Sequence, residues 1–229
     1  MRKLIFPILI GLGGVVVLLW LGFWQLDRLE WKEEILARID ARMGDDPIPL
    51  PPTDTLSEAE DEYLQVLVSG KPTGEEIHVL TSGTAAGTGY RVIAVFETFE
   101  GRNILLDRGL LPIAAKDAPP ITEQTDVQGT LIWPDEVTRA TAGPDLPNNI
   151  WFARDVPTMA RTLGTDPILV VEHGSSVPDP RLTQLPVNSS GIKNDHLQYA
   201  ITWFLLAMVW AAMTLYWLRR STTTAAQED

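Results

Sequence analysis

His196 stands at the head of an uncharged run, and the next residues at intervals of seven are Trp203, Trp210 and Trp217. Tyr199, Leu206 and Met213 fall between them, so a helix would gather all seven side chains on one face. Two readings fit an imidazole on the lip of such a face: a surface that meets protein or a ligand, and a Trp-rich lipid-facing helix with an interfacial histidine. Trp203 and Trp217 suit membrane interfaces. Trp210 lies near the middle of the run, where its indole N–H finds no partner in lipid, and this favours protein or ligand on that face.

Other polar groups recur at telling intervals. Gln25, Arg28 and Lys32 lie at i, i+3 and i+7, a polar and cationic stripe that could hold a carboxylate or phosphate. Snorkelling residues that anchor a helix end show the same spacing. Tyr90-Arg91-Val92-Ile93 and Asp107-Arg108-Gly109 each set an arginine beside an apolar strand. Asn148-Asn149-Ile150-Trp151-Phe152-Ala153-Arg154-Asp155 combines amide, aromatic and guanidinium groups ahead of a helix. Arg108 and Arg154 could bind an anionic partner bidentately, while Arg154 beside Asp155 also reads as an exposed pair.

Several chemistries are excluded. The segment from Gly83 to Gly89 is not followed by Gly-Lys-Ser/Thr and lacks dinucleotide-fingerprint spacing, so it reads as a hairpin turn. Ser189, Ser190, Asp195 and His196 contain triad residue types without a Gly-x-Ser-x-Gly elbow, which leaves a membrane-anchored hydrolase only those two serines as nucleophiles. The chain has no cysteine, which removes disulfides, thiol chemistry and thiolate metal sites. His78, His173 and His196 are too dispersed to form a histidine-rich metal motif.

The elements that must position these residues begin with two apolar runs. Leu4 to Leu26 is uncharged over 23 residues, longer than a signal-peptide core and without a small-x-small cleavage site, so it reads as a retained transmembrane helix. Leu197 to Leu218 is uncharged over 22 residues. At about 1.5 Å per residue it reaches about 33 Å, against a hydrocarbon core of about 30 Å. Trp24 to Ile39 has no Gly or Pro and repeats apolar residues at helical intervals, so the first helix should continue beyond the membrane. Arg2, Lys3, Arg219 and Arg220 flank the runs and place both termini in the cytoplasm. The domain from 27 to 196 then lies on the opposite face. Of the net charge of −12, four basic and two acidic end residues contribute +2, leaving that domain at −14. Such an acidic surface argues against nucleic acid as a partner. The lipid bilayer is the first partner, and the bacterial inner membrane, with a periplasmic central domain, is the simplest location.

Within the domain, Gly44 to Pro52 is a Pro/Gly-rich linker, and Thr55 with Glu58 opens a short capped helix over 56–63. Strands are predicted at 64–69, 77–81, 90–97, 103–108, 127–133, 150–154 and 168–172. Short connections favour hairpins. The fold class is therefore a membrane protein of α+β type: a two-helix transmembrane hairpin, 4–26 and 197–218, enclosing one mainly antiparallel β sheet or barrel with a few short helices. One of those helices runs from Asp155 to Leu163 and stops at Gly164. A tether over 179–191 leads back to the membrane.

Four segments resemble the motifs of the Surfeit locus protein one family, also called Shy proteins. They are Gly22-Phe23-Trp24-Gln25-Leu26-Asp27-Arg28-Leu29-Glu30-Trp31-Lys32, then Gly89 to Ile93 with Leu105 to Gly109 and Pro112, then Asn149 to Asp155 with Met159 and Ala160, and last Asn194 to Phe204. Leu110 and Leu111 depart from the aromatic and valine usual there, Asp107 stands where Asn is frequent, and the tether over 187–193 is longer and more polar than the family's. The resemblance implies an assembly factor for haem-copper cytochrome c oxidase, not an enzyme, that binds haem a and helps place it in subunit I. The haem a synthesis machinery would be a further partner. The closing-motif histidine maps onto His196 as the candidate iron ligand, with neutral imidazole as donor. Tyr199 and Trp203 would pack the macrocycle, and Arg28, Lys32 or Arg154 could pair with propionates. Trp24, Gln25, Trp31, Arg108, Asn149, Trp151 and Arg154 are family-motif or partner-binding candidates. A scaffold that stabilises an early subunit I intermediate without handling haem is the alternative.

Overall fold

A computed structural model describes residues 2–84, 86–187 and 194–225. Ser189 and Ser190, with the tether beyond residue 187, lie outside the described residues. The chain divides into two compact units, one formed by the two ends and one by residues 39–188.

In the first unit, α1 (Arg2–Met43) and α4 (His196–Ala225) contain the two long apolar helical segments. An apolar run in lipid must satisfy its backbone internally, and a helix does so. The helices run antiparallel with close backbones. A Cβ on Gly14 would stand 2.4 Å from the Trp210 indole nitrogen, so glycine is required there. Trp210 Nε1 donates to the carbonyl of Gly11 at 3.1 Å, the protein partner that its mid-membrane position demanded. Phe23 and Phe204 meet edge to face, centroids 5.3 Å apart.

The second unit is a closed β barrel. Its strands are β2 (Gln65–Thr84), β3 (Gly87–Thr98), β4 (Asn103–Pro112), β5 (Thr125–Ile132) and β7 (Leu169–Ser175). They pair in the order β2-β3-β4-β7-β5, and β5 pairs back onto β2. Closure rests on the length of β2, where two predicted strands join into one. Its first part pairs with β5, its second with β3, and Gly70 belongs to both ladders. A Cβ on Gly70 would fall 2.1 Å from the carbonyl oxygen of Glu97, so only glycine lets β2 pass between its neighbours. Two short strands flank β2 in parallel, β1 (Ile48–Pro49) and β6 (Ile150–Trp151). The first arises inside the predicted linker, where two residues suffice to extend an edge. Strand β4 also pairs in parallel with β7, so the barrel is mixed although mainly antiparallel.

The first halves of β4 and β7 are apolar on both faces, which explains the runs Ile104–Leu106 and Ile168–Val171. Ile104, Leu106 and Val170 join one buried cluster. Leu105, Leu169 and Val171 join the other, with Val156, Met159 and Ala160 of α3 (Val156–Leu163). Asp155 caps α3 by accepting from the Thr158 N–H, and Gly164 ends it at φ 68°. The short helix α2 (Glu58–Asp61) is capped by Ser57, which accepts from the Glu60 N–H. This corrects the expected cap at Thr55, whose hydroxyl instead donates to the Pro52 carbonyl.

Candidate functional site

The first candidate lies within the helix hairpin. Gln25 on α1 and His196, the first residue of α4, are 171 positions apart, and Gln25 Oε1 lies 2.7 Å from His196 Nδ1. The amide oxygen can only accept, so Nδ1 is the donor, and in a neutral imidazole Nε2 is then the nitrogen that keeps its lone pair. Seven residues on, Trp203 Nε1 is buried without a hydrogen-bond partner among the described residues, as is Asn194 Oδ1. Arg28 lies 4.3 Å above the ring of Trp31 one turn away. Lys32 is half-buried, and Trp24 is exposed on α1.

The predicted seven-residue stripe on α4 divides. Ala200 and Ala207 are buried, and His196, Trp203 and Phe204 are half-buried. Tyr199, Leu206 and Met213 are exposed. The helix therefore packs on the Ala200–Ala207 line, and the aromatic stripe runs along its edge.

The second candidate surrounds Asp107, fully buried in β4. Arg91 Nε contacts Asp107 Oδ2, Arg154 Nη1 approaches the same oxygen at 3.4 Å, and the Gly109 N–H donates to Oδ1 at 3.2 Å. Arg154 also donates from its backbone N–H and Nε to Glu136, each at 2.9 Å. Burial pushes the Asp107 carboxyl up, while Arg91 and Arg154 pull it back down. Burial would also raise Glu136, but hydrogen bonds from Arg154 hold it below the usual carboxylate range. Arg91, Glu136 and Arg154 line a cavity of about 440 Å³ with Glu62, Tyr63 and Trp133.

The structure separates the arginines that sequence placed together. Arg154 is committed to Asp107 and Glu136 rather than Asp155, which caps α3. Arg108 is buried beside Glu172 and Asp179. Neither guanidinium is a free surface clamp for an anionic partner. Trp151 is a core residue, 3% exposed. Asn149 takes φ 50° and donates through Nδ2 to the Glu76 carbonyl at 2.8 Å, locking the turn before β6. The carboxylates Glu76, Glu136, Glu172 and Asp179 were not singled out in sequence, and Asp107 was named only within the Asp107-Arg108-Gly109 cluster and as a departure from Asn. Asp107 carried a readable signal, since with Arg108 it interrupts the apolar residues on either side, Ile104 to Leu106 and Leu110 to Leu111. Glu136 lies in a loop and carried none.

Two apolar helices bracketing a β barrel, with a histidine at the head of the second helix, define a membrane-anchored β-domain protein. The model of the SURF1 family matches residues 12–208. The chain is 31% identical to Surfeit locus protein 1 of Rattus norvegicus over 225 residues, covering 87% of this chain and 71% of the relative. It is 31% identical to the SURF1-like protein of Rickettsia felis over 214 residues, 87% of this chain and 91% of that one. Surfeit locus protein 1 of Homo sapiens is 31% identical over 227 residues, 87% and 72% of the two chains. The chain belongs to the SURF1 family. Membership implies a part in cytochrome c oxidase assembly.

Proposed function

We propose that the protein binds haem a as cargo and assists its insertion into subunit I of cytochrome c oxidase. The observation that carries this reading is the Gln25–His196 hydrogen bond, which fixes the tautomer whose Nε2 can donate to iron. The donor set also fits. Among the described residues no cluster of three or more His, Cys, Asp or Glu could hold a metal ion. A single imidazole would suit a metal that arrives already held within a cofactor, such as haem iron. The unpaired Trp203 indole N–H offers a donor for an oxygen at the ligand's periphery. Tyr199 adds exposed aromatic surface one turn from His196, and Arg28 and Lys32 supply positive charge for propionates.

Haem a, when bound, would supply an iron centre that His196 would hold. The chain's own part is to present Nε2, keep Nδ1 protonated through Gln25, and cover the macrocycle with aromatic side chains. The bacterial inner membrane, both termini cytoplasmic, is the setting that the flanking basic residues support. Haem a synthesis enzymes and apo-subunit I would be the donor and acceptor.

The test is the visible spectrum of protein purified from haem a-producing cells. Wild type should carry haem a, and His196→Ala should lose most of it with its far-UV circular dichroism unchanged. Equal haem a content in both would overturn the ligand assignment. A scaffold without haem is the second reading, favoured by the exposed Trp210 and Trp217 edge of α4. Crosslinkers at those positions would then capture subunit I in cells that make no haem a.

A further inference from the structure

The helix hairpin carries a groove near one of its ends. A Cβ on Gly11 would collide with the Thr214 side chain and one on Gly14 with Trp210, so the backbones of α1 and α4 approach closely there. Beyond Gly11, toward Arg2 of α1 and Arg219 of α4, the residues become large. Phe6 and Ile10 on α1 and Met213 and Trp217 on α4 join Gly11 and Trp210 around a groove of about 350 Å³. Phe6 is 70% and Met213 65% exposed, so the groove opens onto the membrane-spanning surface of the pair.

The lining asks for an apolar occupant. Trp210 Nε1 donates to the Gly11 carbonyl at 3.1 Å, and Thr214 Oγ1 donates to the Trp210 carbonyl at 2.8 Å. Both donors are therefore spent within the hairpin. A polar ligand would lose its own hydrogen bonds here and gain none from these groups. An alkyl chain loses nothing and gains dispersion contact with the indoles, Phe6 and the Met213 thioether. The groove is also distinct from the haem face, because Trp210 lies 14 residues after His196, about 21 Å along α4.

The helix ends select the head group. Arg2 and Lys3 open α1 within four residues of Phe6, about 6 Å along the axis. Arg219 and Arg220 follow Trp217 by two and three residues and are exposed. Because the helices are antiparallel, all four basic residues belong to the grooved end. The acidic residues that follow α4 are Glu228 and Asp229, and the next along either helix are Asp27 and Asp195, past the far end of the apolar runs. Four basic against two acidic side chains leave +2 at this end, in a chain whose net charge is −12. Flanking arginines alone set topology. The groove beside them adds a seat for a chain, which topology does not require. Basic clusters between membrane helices suit anionic lipid head groups. We propose that this end of the α1–α4 hairpin binds one anionic phospholipid, with an acyl chain in the groove and its phosphate beside Arg2, Lys3, Arg219 and Arg220.

The experiment is native mass spectrometry of the full-length protein in neutral detergent, titrated with dioleoyl phosphatidylglycerol or dioleoyl phosphatidylcholine, which differ only in head group. Phosphatidylglycerol should form a single adduct that outlasts removal of the detergent. It should bind about tenfold or more tightly than phosphatidylcholine, since each basic residue beside an anionic head group contributes about fivefold. Glycerol 3-phosphate, the head without chains, should give no adduct. Arg219→Gln combined with Arg220→Gln should remove most of the preference between the two lipids. Met213→Trp crowds the groove, keeps every charge, and should lose most of the adduct with far-UV circular dichroism unchanged. Equal binding of the two lipids, a ladder of adducts with no favoured first one, or an undiminished adduct in Met213→Trp would overturn the proposal. A wild-type protein that dimerises and takes up no lipid would assign the groove to a second copy and overturn it too. Where a variant fails to fold, the titrations of wild type decide alone.

Discussion

Asp107 and His196 are partnered in opposite ways. Asp107 is sealed in the barrel wall, where Arg91, Arg154 and the Gly109 N–H use both of its oxygens. His196 is half-buried, makes one hydrogen bond through Nδ1, and keeps Nε2 without a partner among the described residues. Both are polar groups beside apolar surface, and both fall in segments that drew notice in the sequence. A side chain whose hydrogen-bonding capacity is spent within the fold holds the fold. One that keeps a lone pair in reserve can serve a ligand.

The sharpest way to break this contrast is Asp107→Ala. It leaves the largely buried Arg91 without its carboxylate and Arg154 with Glu136 alone, and removing one partner of a buried ion pair typically costs about 3–5 kcal/mol. Thermal unfolding followed by far-UV circular dichroism should show a drop of that size. His196→Ala loses only the hydrogen bond to Gln25 and should cost about 0.5–1.5 kcal/mol. Equal losses in the two variants would mean that His196 is as structural as Asp107.

The hairpin that presents His196 can be perturbed without touching the histidine. Gly14→Leu drives a side chain into Trp210. Overpacking of this kind costs about 1–3 kcal/mol and would displace the Trp210–Gly11 hydrogen bond. Tryptophan fluorescence should shift as the helices part, with the barrel's circular dichroism unchanged. Retention of the wild-type emission would show that the close approach is dispensable.

How far the sequence could be read follows from the range of each interaction. Helix α3 was legible because its signals are local: Asp155 as cap, Gly164 as stop, and an apolar face between them. Trp210 was legible because lipid leaves an indole N–H without a partner, and protein supplied one. The barrel closure was not. Joining two predicted strands through Gly70 depends on neighbours at Glu97 and Thr125, far away in the chain. The fate of the arginines was hidden for the same reason, since Arg154 passes over adjacent Asp155 and pairs with Glu136 and Asp107. Arg108 needed a bulge to turn inward, and no spacing rule marks an extra residue in one strand. For His196 the motif supplied the residue, and the structure added Gln25 as the partner that sets its tautomer.

That partner gives a smaller test of the same contrast. Gln25→Leu removes the acceptor at Nδ1 and leaves His196 in place. Loss of a group that orients a metal-binding histidine typically weakens affinity about 10–100-fold. Haem a titration of purified protein should show a loss in that range, milder than the loss in His196→Ala. Unchanged affinity would mean that the hydrogen bond only ties the helices together.

Acid is the gentlest probe, and its sign separates the barrel's charges. Burial would raise Glu76, but hydrogen bonds from His78 and Arg181 hold it below its ordinary value of 4.5. Glu136 is held down by Arg154 and Asp179 by Arg181, again against burial. A carboxyl depressed in the folded state contributes stability above its unfolded pKa and loses it as pH falls through the folded one. Burial lowers His173 from 6.5, so below that pH the unfolded chain takes up the proton first and stability begins to decline there. Asp107 and Glu62 act oppositely, because burial raises both, and protonating them relieves the folded state. Three carboxyls and a histidine against two carboxyls predict a net loss on acidification, beginning below 6.5 and steepening below 4.5. Unfolding midpoints between pH 7 and 3 should fall accordingly. His173→Asn should remove the early part of the fall, and Glu136→Gln should soften the later part. A midpoint that rose on acidification would show that relief of Asp107 outweighs the rest, and the sealed carboxylate would then be a source of strain in the barrel wall.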